Sequence, residues 1–134
     1  MGLIKQCDDQ LGRLLDHLEA TDRMKDTMIV LTSDHGDYLG DHWMGDKDLF
    51  HEPSVKIPMI IYDPRKDADG ARGTTCNALV ESIDLVPTFL EAAGGAEAGH
   101  ILEGRSLAPW LRGETPENWR EYVISEYDLS LIHI

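Results

Sequence analysis

The spacing of hydrophobic positions changes along the chain and predicts a helix followed by a strand. Six apolar residues recur at helical spacing with charged residues between them: Ile4, Cys7, Leu11, Leu14, Leu15 and Leu18. This pattern predicts an amphipathic helix over about 3–20, with the thiol of Cys7 buried on its apolar face. The uninterrupted apolar run at 27–33 then predicts a buried parallel strand. A helix leading into such a strand indicates the second half of a βαβ unit.

The remaining pattern predicts shorter elements that complete an α/β domain. They are a long loop at 34–55, a strand at 57–62, a surface turn at 66–73, a short strand at 78–81, a helix at 85–93 capped by Asp84, a short helix at 106–111 begun by Ser106, and a late strand at 121–126. We therefore expect a mostly parallel sheet flanked by helices.

Composition limits the classes of partner. A chain of 134 residues is long enough for one domain with a core, and its formal net charge is −13. This acidity argues against a nucleic-acid partner, but not against a small anionic substrate, because a bound divalent metal reverses the local field. No apolar run is long enough to predict a membrane span. Cys7 and Cys76 do not form a disulfide framework, although one bridge between them stays open.

The strand predicted at 27–33 ends in an acid, an imidazole and a glycine, namely Asp34, His35 and Gly36. Open α/β sheets place ligand sites at the carboxyl ends of their strands. Adjacent side chains of an extended strand point to opposite faces, so Asp34 and His35 can share a metal only if the backbone turns at Gly36. Such a pair suits Mn²⁺, Zn²⁺ or Fe²⁺, and Ca²⁺ or Mg²⁺ more weakly. The alternative, an Asp that caps the loop beside a surface His, is equally compatible with the spacing.

Several fixed spacings in this loop resemble one family. The segments at 33–37 (SDHGD), 39–42 (LGDH) and 52–58 (EPSVKIP), with Lys47 between them, resemble the metal-binding loop of the sulfatase branch of the alkaline phosphatase superfamily, nearest to its phosphonate monoester hydrolase and arylsulfatase-like group. The resemblance implies a partial alkaline-phosphatase-like fold, incomplete at its N-terminal side. It also implies one divalent metal held by Asp34 and His35, with Mn²⁺ or Ca²⁺ expected before Mg²⁺ or Zn²⁺. Lys47 matches the family lysine that contacts the charged group being transferred.

Two histidines in the same loop, His42 and His51, are further catalytic candidates. Each can serve as an acid for the leaving group, as support for the ligands or as loop packing. The resembling enzymes use a formylglycine nucleophile made from Cys or Ser in a Cys/Ser-x-Pro/Ser/Ala-x-Arg setting, and neither Cys7 nor Cys76 matches it. The resemblance therefore implies that the nucleophile and the other acidic ligands lie in an upstream region that this chain lacks. We expect the chain alone to be inactive.

We thus interpret residues 1–127 as a portion of a sulfatase-like hydrolase domain. Residues 128–134 are interpreted as an irregular tail that need not be native, because it lacks turn or cap signals. The expected function is hydrolysis of small sulfate esters, with hydrolysis of phosphonate monoesters or phosphodiesters as the alternative. His35, where many sulfatases have Asn, favours that alternative. A non-catalytic domain with a vestigial metal loop and a generic α/β interaction domain are further hypotheses. Homo-oligomers of the full-length protein, and a cytoplasmic or periplasmic location, stay open.

Overall fold

The computed structural model describes residues 2–96 and 99–126. It begins with helix α1, Gly2–Ala20, which confirms the helix predicted from the apolar spacing. No residue of α1 is buried, and Leu3 and Ile4 of its apolar face are 78% and 64% exposed. The expectation that Cys7 is buried is therefore wrong, since its side chain is exposed. An apolar stripe becomes buried only when another element packs on it, which the helical period alone does not guarantee.

Two strands, β1 (Ile29–Thr32) and β2 (Met59–Tyr62), form a two-stranded sheet. They pair antiparallel, with Ile29 opposite Tyr62 and Thr32 opposite Met59. The prediction that the run at 27–33 forms a buried parallel strand is wrong for this pair. β1 is only half-buried at its start and exposed at its end, because hydrophobicity predicts a strand but not the direction of its neighbour. Antiparallel pairing places the end of β1 beside the start of β2, so the loop between them begins and ends at one edge of the sheet.

Short helices occupy much of the rest of the chain. The loop between the strands contains a 3₁₀ turn at Asp41–Trp43 and the one-turn helix α2 at Glu52–Val55. A 3₁₀ helix at Lys66–Ala71 replaces the predicted surface turn and buries Ala68. Further along lie a 3₁₀ turn at Ser82–Asp84, helix α3 at Leu85–Ala92 and helix α4 at Ala108–Leu111.

The strands predicted at 78–81 and 121–126 do not form. Both segments lack a backbone ladder in the described structure, and the two regions are joined instead by the indole of Trp119, which donates to the carbonyl of Leu79 at 2.8 Å. A segment rich in β-branched or aromatic residues forms a strand only when another strand pairs with it. The predicted irregular tail at 128–134 lies outside the described residues.

Asp84 organises the packing around α3. Its carboxylate is completely buried and accepts hydrogen bonds from the backbone amides of Glu81 and Arg105, each at 2.8 Å. The guanidinium of Arg120 adds two more, at 2.5 and 2.6 Å. The prediction that Asp84 caps α3 is wrong, because its side chain makes no cap hydrogen bond to that helix. It joins three separate segments instead.

The helix predicted to begin at Ser106 begins at Ala108, with Leu107 at the N-cap position, so the prediction that Ser106 caps it is wrong, although Ser106 still contacts its first residue. Its hydroxyl accepts a hydrogen bond from the Ala108 amide at 3.2 Å and donates one to Glu91 on α3 at 2.5 Å. In the described part of the chain, no helix is both long and apolar enough to cross a membrane.

Candidate active site

The backbone turns sharply directly after β1. The Ser33 hydroxyl donates to the carbonyl of His35 at 2.6 Å, and the amide of Gly36 donates to the carbonyl of Ser54 at 2.7 Å. A Cβ at position 36 would lie 1.9 Å from the carbonyl oxygen of Pro53, so only glycine fits this approach. The turn that Asp34 and His35 need in order to share a metal is therefore present.

Asp34 and His35 point toward one another at this turn. The Oδ2 of Asp34 lies 3.6 Å from the Nε2 of His35, a separation at which both atoms can contact one ion. The Nδ1 of His35 is 2.7 Å from the carbonyl oxygen of Gly36. A carbonyl only accepts, so the proton is on Nδ1 and the lone pair is on Nε2, the form in which an imidazole binds metal. The pair fits a divalent metal ion.

The electrostatic setting keeps Asp34 ionised. A hydrogen bond with its own backbone amide, followed by the electrostatic interaction with the His35 ring and by the positive charge of Lys47, holds the pKa of the Asp34 carboxyl below its ordinary value. The side chain of Asp34 is 86% exposed, so burial opposes this only weakly. An ionised, accessible carboxylate is the form that a metal ligand requires.

Lys47 comes close enough to Asp34 for its charge to lower the pKa of that carboxyl. The Lys47 side chain is exposed, and the preceding residue is fixed by a hydrogen bond from the Tyr38 amide to the Asp46 carbonyl at 3.0 Å. The charge of Lys47 therefore acts on Asp34, which lies thirteen positions earlier in the sequence.

His42 and His51 meet in the same loop. Their rings stack with centroids 4.2 Å apart and an angle of 13° between their planes. Tyr38 presents its edge to both rings, with centroids 6.1 Å from His42 and 5.8 Å from His51. Its hydroxyl lies 2.9 Å from the Nδ1 of His51.

Sequence reasoning missed Tyr38. It is 1% exposed and is the largest side chain among those that are fully buried in the described structure. The available signal was a large aromatic residue two positions after Gly36. Such a residue needs a packed environment, and in this loop it contacts the two histidines.

The loop stores backbone strain. Four residues other than glycine have positive φ within eight positions: Leu39, His42, Trp43 and Asp46. Each such conformation costs on the order of 1 kcal/mol and persists only when surrounding contacts hold it. Strain of this kind concentrates at functional sites.

The described residues hold no larger cluster of potential metal ligands around Asp34 and His35. Across residues 2–96 and 99–126, no group of three or more His, Cys, Asp or Glu side chains is assembled to hold a metal ion. The structure thus shows Asp34 and His35 as a pair.

The fold and the loop together define a partial α/β domain in which a carboxylate and an imidazole, those of Asp34 and His35, meet at a strand end. The model of the family described as Sulfatase matches residues 1–96. The chain belongs to the sulfatase family, and its fold class is the predicted sulfatase and alkaline-phosphatase-like class.

Related proteins agree with this assignment. The chain is 40% identical over 127 residues to the multifunctional alkaline phosphatase superfamily protein PehA of Trinickia caryophylli, covering 95% of this chain and 24% of that protein. It is 38% identical over 122 residues to the N-acetylglucosamine-6-O-sulfatase of Bacteroides thetaiotaomicron, covering 90% and 21%. The crystal structure of the phosphonate monoester hydrolase of Agrobacterium radiobacter matches with a TM-score of 0.80 and 35% identity, covering 88% and 23%. The chain thus spans about a quarter of the length of these proteins.

Proposed function

We propose that this chain contributes Asp34, His35 and Lys47 to the active site of a metal-dependent hydrolase of sulfate esters. The observation that carries the proposal is the approach of the Asp34 carboxylate to the Nε2 of His35, at 3.6 Å. The hydrogen bond from His35 to the Gly36 carbonyl supports it, because that bond leaves Nε2 free to bind. Membership of the sulfatase family makes an anionic ester the natural substrate class.

Each residue has a separate task in this proposal. Asp34 and His35 hold one divalent cation, for which Mn²⁺ or Ca²⁺ is expected first and Mg²⁺ or Zn²⁺ next. When bound, that cation polarises an oxygen of the ester. Lys47 places a point charge where negative charge develops on the transferred group or the leaving oxygen. His42 and His51 lie in the same loop and are proposed to act on the leaving-group side.

The family uses a formylglycine nucleophile, and no cysteine of this chain has the sequence setting for it. The sequence of the complete protein, examined for Cys/Ser-x-Pro/Ser/Ala-x-Arg, separates this proposal from a non-catalytic domain. A complete protein without that motif would support the vestigial metal loop instead.

Hydrolysis of phosphonate monoesters or phosphodiesters is the second candidate function. Similarity to the phosphonate monoester hydrolase of Agrobacterium radiobacter and to PehA favours it. A neutral imidazole beside one carboxylate suits a transition metal, and such an ion stabilises phosphoryl as well as sulfuryl transfer.

The roles are separated by variants of the full-length enzyme. Asp34→Asn and His35→Ala should lower metal content and kcat together, because both remove a ligand. Lys47→Ala should lower kcat by about 10²-fold, the effect of one electrostatic stabiliser, while the metal is retained. Lys56→Ala is the matched control, since Lys56 forms an exposed pair with Glu52 at 3.1 Å.

Metal content is measured by elemental analysis and kcat with aryl sulfates. Equal loss of metal in Lys47→Ala and Asp34→Asn would contradict this division of roles. Full metal content in both Asp34→Asn and His35→Ala would contradict the metal site itself.

A further inference from the structure

The buried hydroxyl of Tyr38 is hydrogen-bonded to a ring nitrogen of His51, a candidate catalytic residue. The only hydrogen bond that this hydroxyl makes within the described residues is to the Nδ1 of His51, at 2.9 Å. Tyr38 is 1% exposed, and a buried phenolic proton is costly to leave without an acceptor. The phenol therefore donates to Nδ1.

This direction of donation determines the tautomer of His51. Because Nδ1 accepts, the ring proton of neutral His51 resides on Nε2. His51 is an exposed residue, and Nε2 is the ring nitrogen that Tyr38 does not occupy. His51 thus presents an N–H donor outward, whereas His35 presents a lone pair from its own Nε2. The two histidines suit opposite partners: an anionic oxygen for His51 and a cation for His35.

Tyr38 also holds the loop around these groups. Its amide donates to the Asp46 carbonyl, one residue before Lys47, and its ring lies edge-on to both His42 and His51. The stacked ring of His42 limits rotation of the His51 ring. The buried residue Tyr38 therefore connects Lys47 and His51, the two residues proposed to contact the charge of the substrate.

We infer that Tyr38 is a positioning residue, which fixes His51 as an Nε2–H donor to an oxygen of the bound anionic ester. The inference rests on the proposed function, since it assigns a donor to the same site. His51 contacts the substrate, and Tyr38 acts through it. Pre-organised donors of this kind stabilise charge in the transition state, because they need no reorientation during the reaction.

The tautomer is measured by ¹⁵N NMR of histidine-labelled full-length enzyme, with the His51 signals assigned by their loss in His51→Gln. In the wild type, Nδ1 should show the shift of an unprotonated nitrogen and Nε2 that of a protonated one. Tyr38→Phe keeps the buried ring and removes the hydroxyl, so His51 should become a mixture of tautomers. A wild-type tautomer in Tyr38→Phe would overturn the inference.

Kinetics provide the second measurement. Tyr38→Phe should lower kcat about tenfold with unchanged metal content, the equivalent of one hydrogen bond. His51→Gln, whose amide reaches the position of Nε2, should retain more activity than His51→Asn, whose amide reaches only the position of Nδ1. Tyr122→Phe, at an exposed tyrosine, is the matched control and should leave kcat unchanged.

The outcomes distinguish this inference from the proposed function. Wild-type kcat in Tyr38→Phe, or equal kcat in the two His51 variants, would overturn the inference while Asp34→Asn still loses metal. If Tyr38→Phe fails to fold, the comparison of His51→Gln with His51→Asn decides alone. Full metal content in Asp34→Asn would instead overturn the proposed function.

Discussion

The backbone amide of Gly36 donates to the carbonyl of Ser54 at 2.7 Å and thereby closes the loop that presents Asp34 and His35. The approach is so close that a Cβ on residue 36 would collide with the carbonyl oxygen of Pro53. Ser54 belongs to α2 and is buried, so the turn after β1 packs directly against the backbone of α2. The positions of Asp34 and His35 therefore depend on a residue without a side chain.

Gly36→Ala should consequently disturb the ligand pair. We expect a loss of about 1–3 kcal/mol in the free energy of unfolding, because the contact is with backbone that cannot move aside. Metal content in the full-length enzyme should fall as well. Gly45→Ala is the control, since a Cβ there meets no atom within 4 Å. Denaturant unfolding and elemental analysis measure both effects, and equal behaviour of the two variants would contradict the role of Gly36.

The buried pair of Asp84 and Arg120 should be a major determinant of stability. Arg120→Met leaves a carboxylate that is 0% exposed without its cation, a change that costs about 3–5 kcal/mol in the free energy of unfolding. Lys5→Met breaks an exposed pair with Asp9 and should cost less than about 1 kcal/mol. Urea unfolding of the two variants checks this, and a similar small loss in both would refute it.

Glu91 should make stability depend on pH in the acid range. A hydrogen bond from Ser106, followed by the bond and charge of Arg112, lowers the pKa of Glu91 from its ordinary 4.5. A carboxyl whose pKa is lower in the folded state contributes stability above its unfolded pKa and loses it as the pH falls through the folded pKa. Glu91→Gln should therefore flatten the acid side of the stability profile.

The measurement is the free energy of unfolding between about pH 3 and 6. Glu117→Gln, at an exposed glutamate, is the control and should keep the slope of the wild type. A wild-type slope in Glu91→Gln would show that the pairing with Ser106 and Arg112 contributes nothing to this dependence.

The chain by itself should not hydrolyse esters. It contains no cysteine in the sequence setting of the family nucleophile, and a two-ligand site binds metal weakly. Purified chain with added Mn²⁺ or Ca²⁺ is assayed with aryl sulfates and aryl phosphonates. Metal-dependent turnover that Asp34→Ala abolishes would show that these residues suffice.

The full-length enzyme should act on both substrate classes. A bound metal ion and a lysine can stabilise the charge of any tetrahedral oxyanion, whether sulfate or phosphonate. The similar proteins include a sulfatase and a phosphonate monoester hydrolase. The measurement is kcat/KM for sulfate monoesters and phosphonate monoesters with the same aryl leaving group. Strict sulfate specificity with Mn²⁺ present would contradict this expectation.

Much of the local structure, and the approach of Asp34 to His35, could be predicted from the sequence. Helix α1 and both strands follow from hydrophobic spacing, because each period reflects contacts within one short segment. Asp34 and His35 are neighbours, so the strand end and Gly36 suffice to predict that they converge. The family was predicted from the sequence motifs of the loop, and the match to the sulfatase family over residues 1–96 confirms it. The role of Lys47 stays a prediction.

Tertiary structure alone decided the contacts between distant residues. No local signal predicts the antiparallel direction of β2. The same holds for two hydrogen bonds, because Tyr38 and His51 lie 13 positions apart in the sequence, and Asp84 and Arg120 lie 36 positions apart. The exposure of Cys7 likewise depends on what packs against α1. Periodicity records which face of a segment is apolar, whereas pairing and burial depend on where the rest of the chain returns in space.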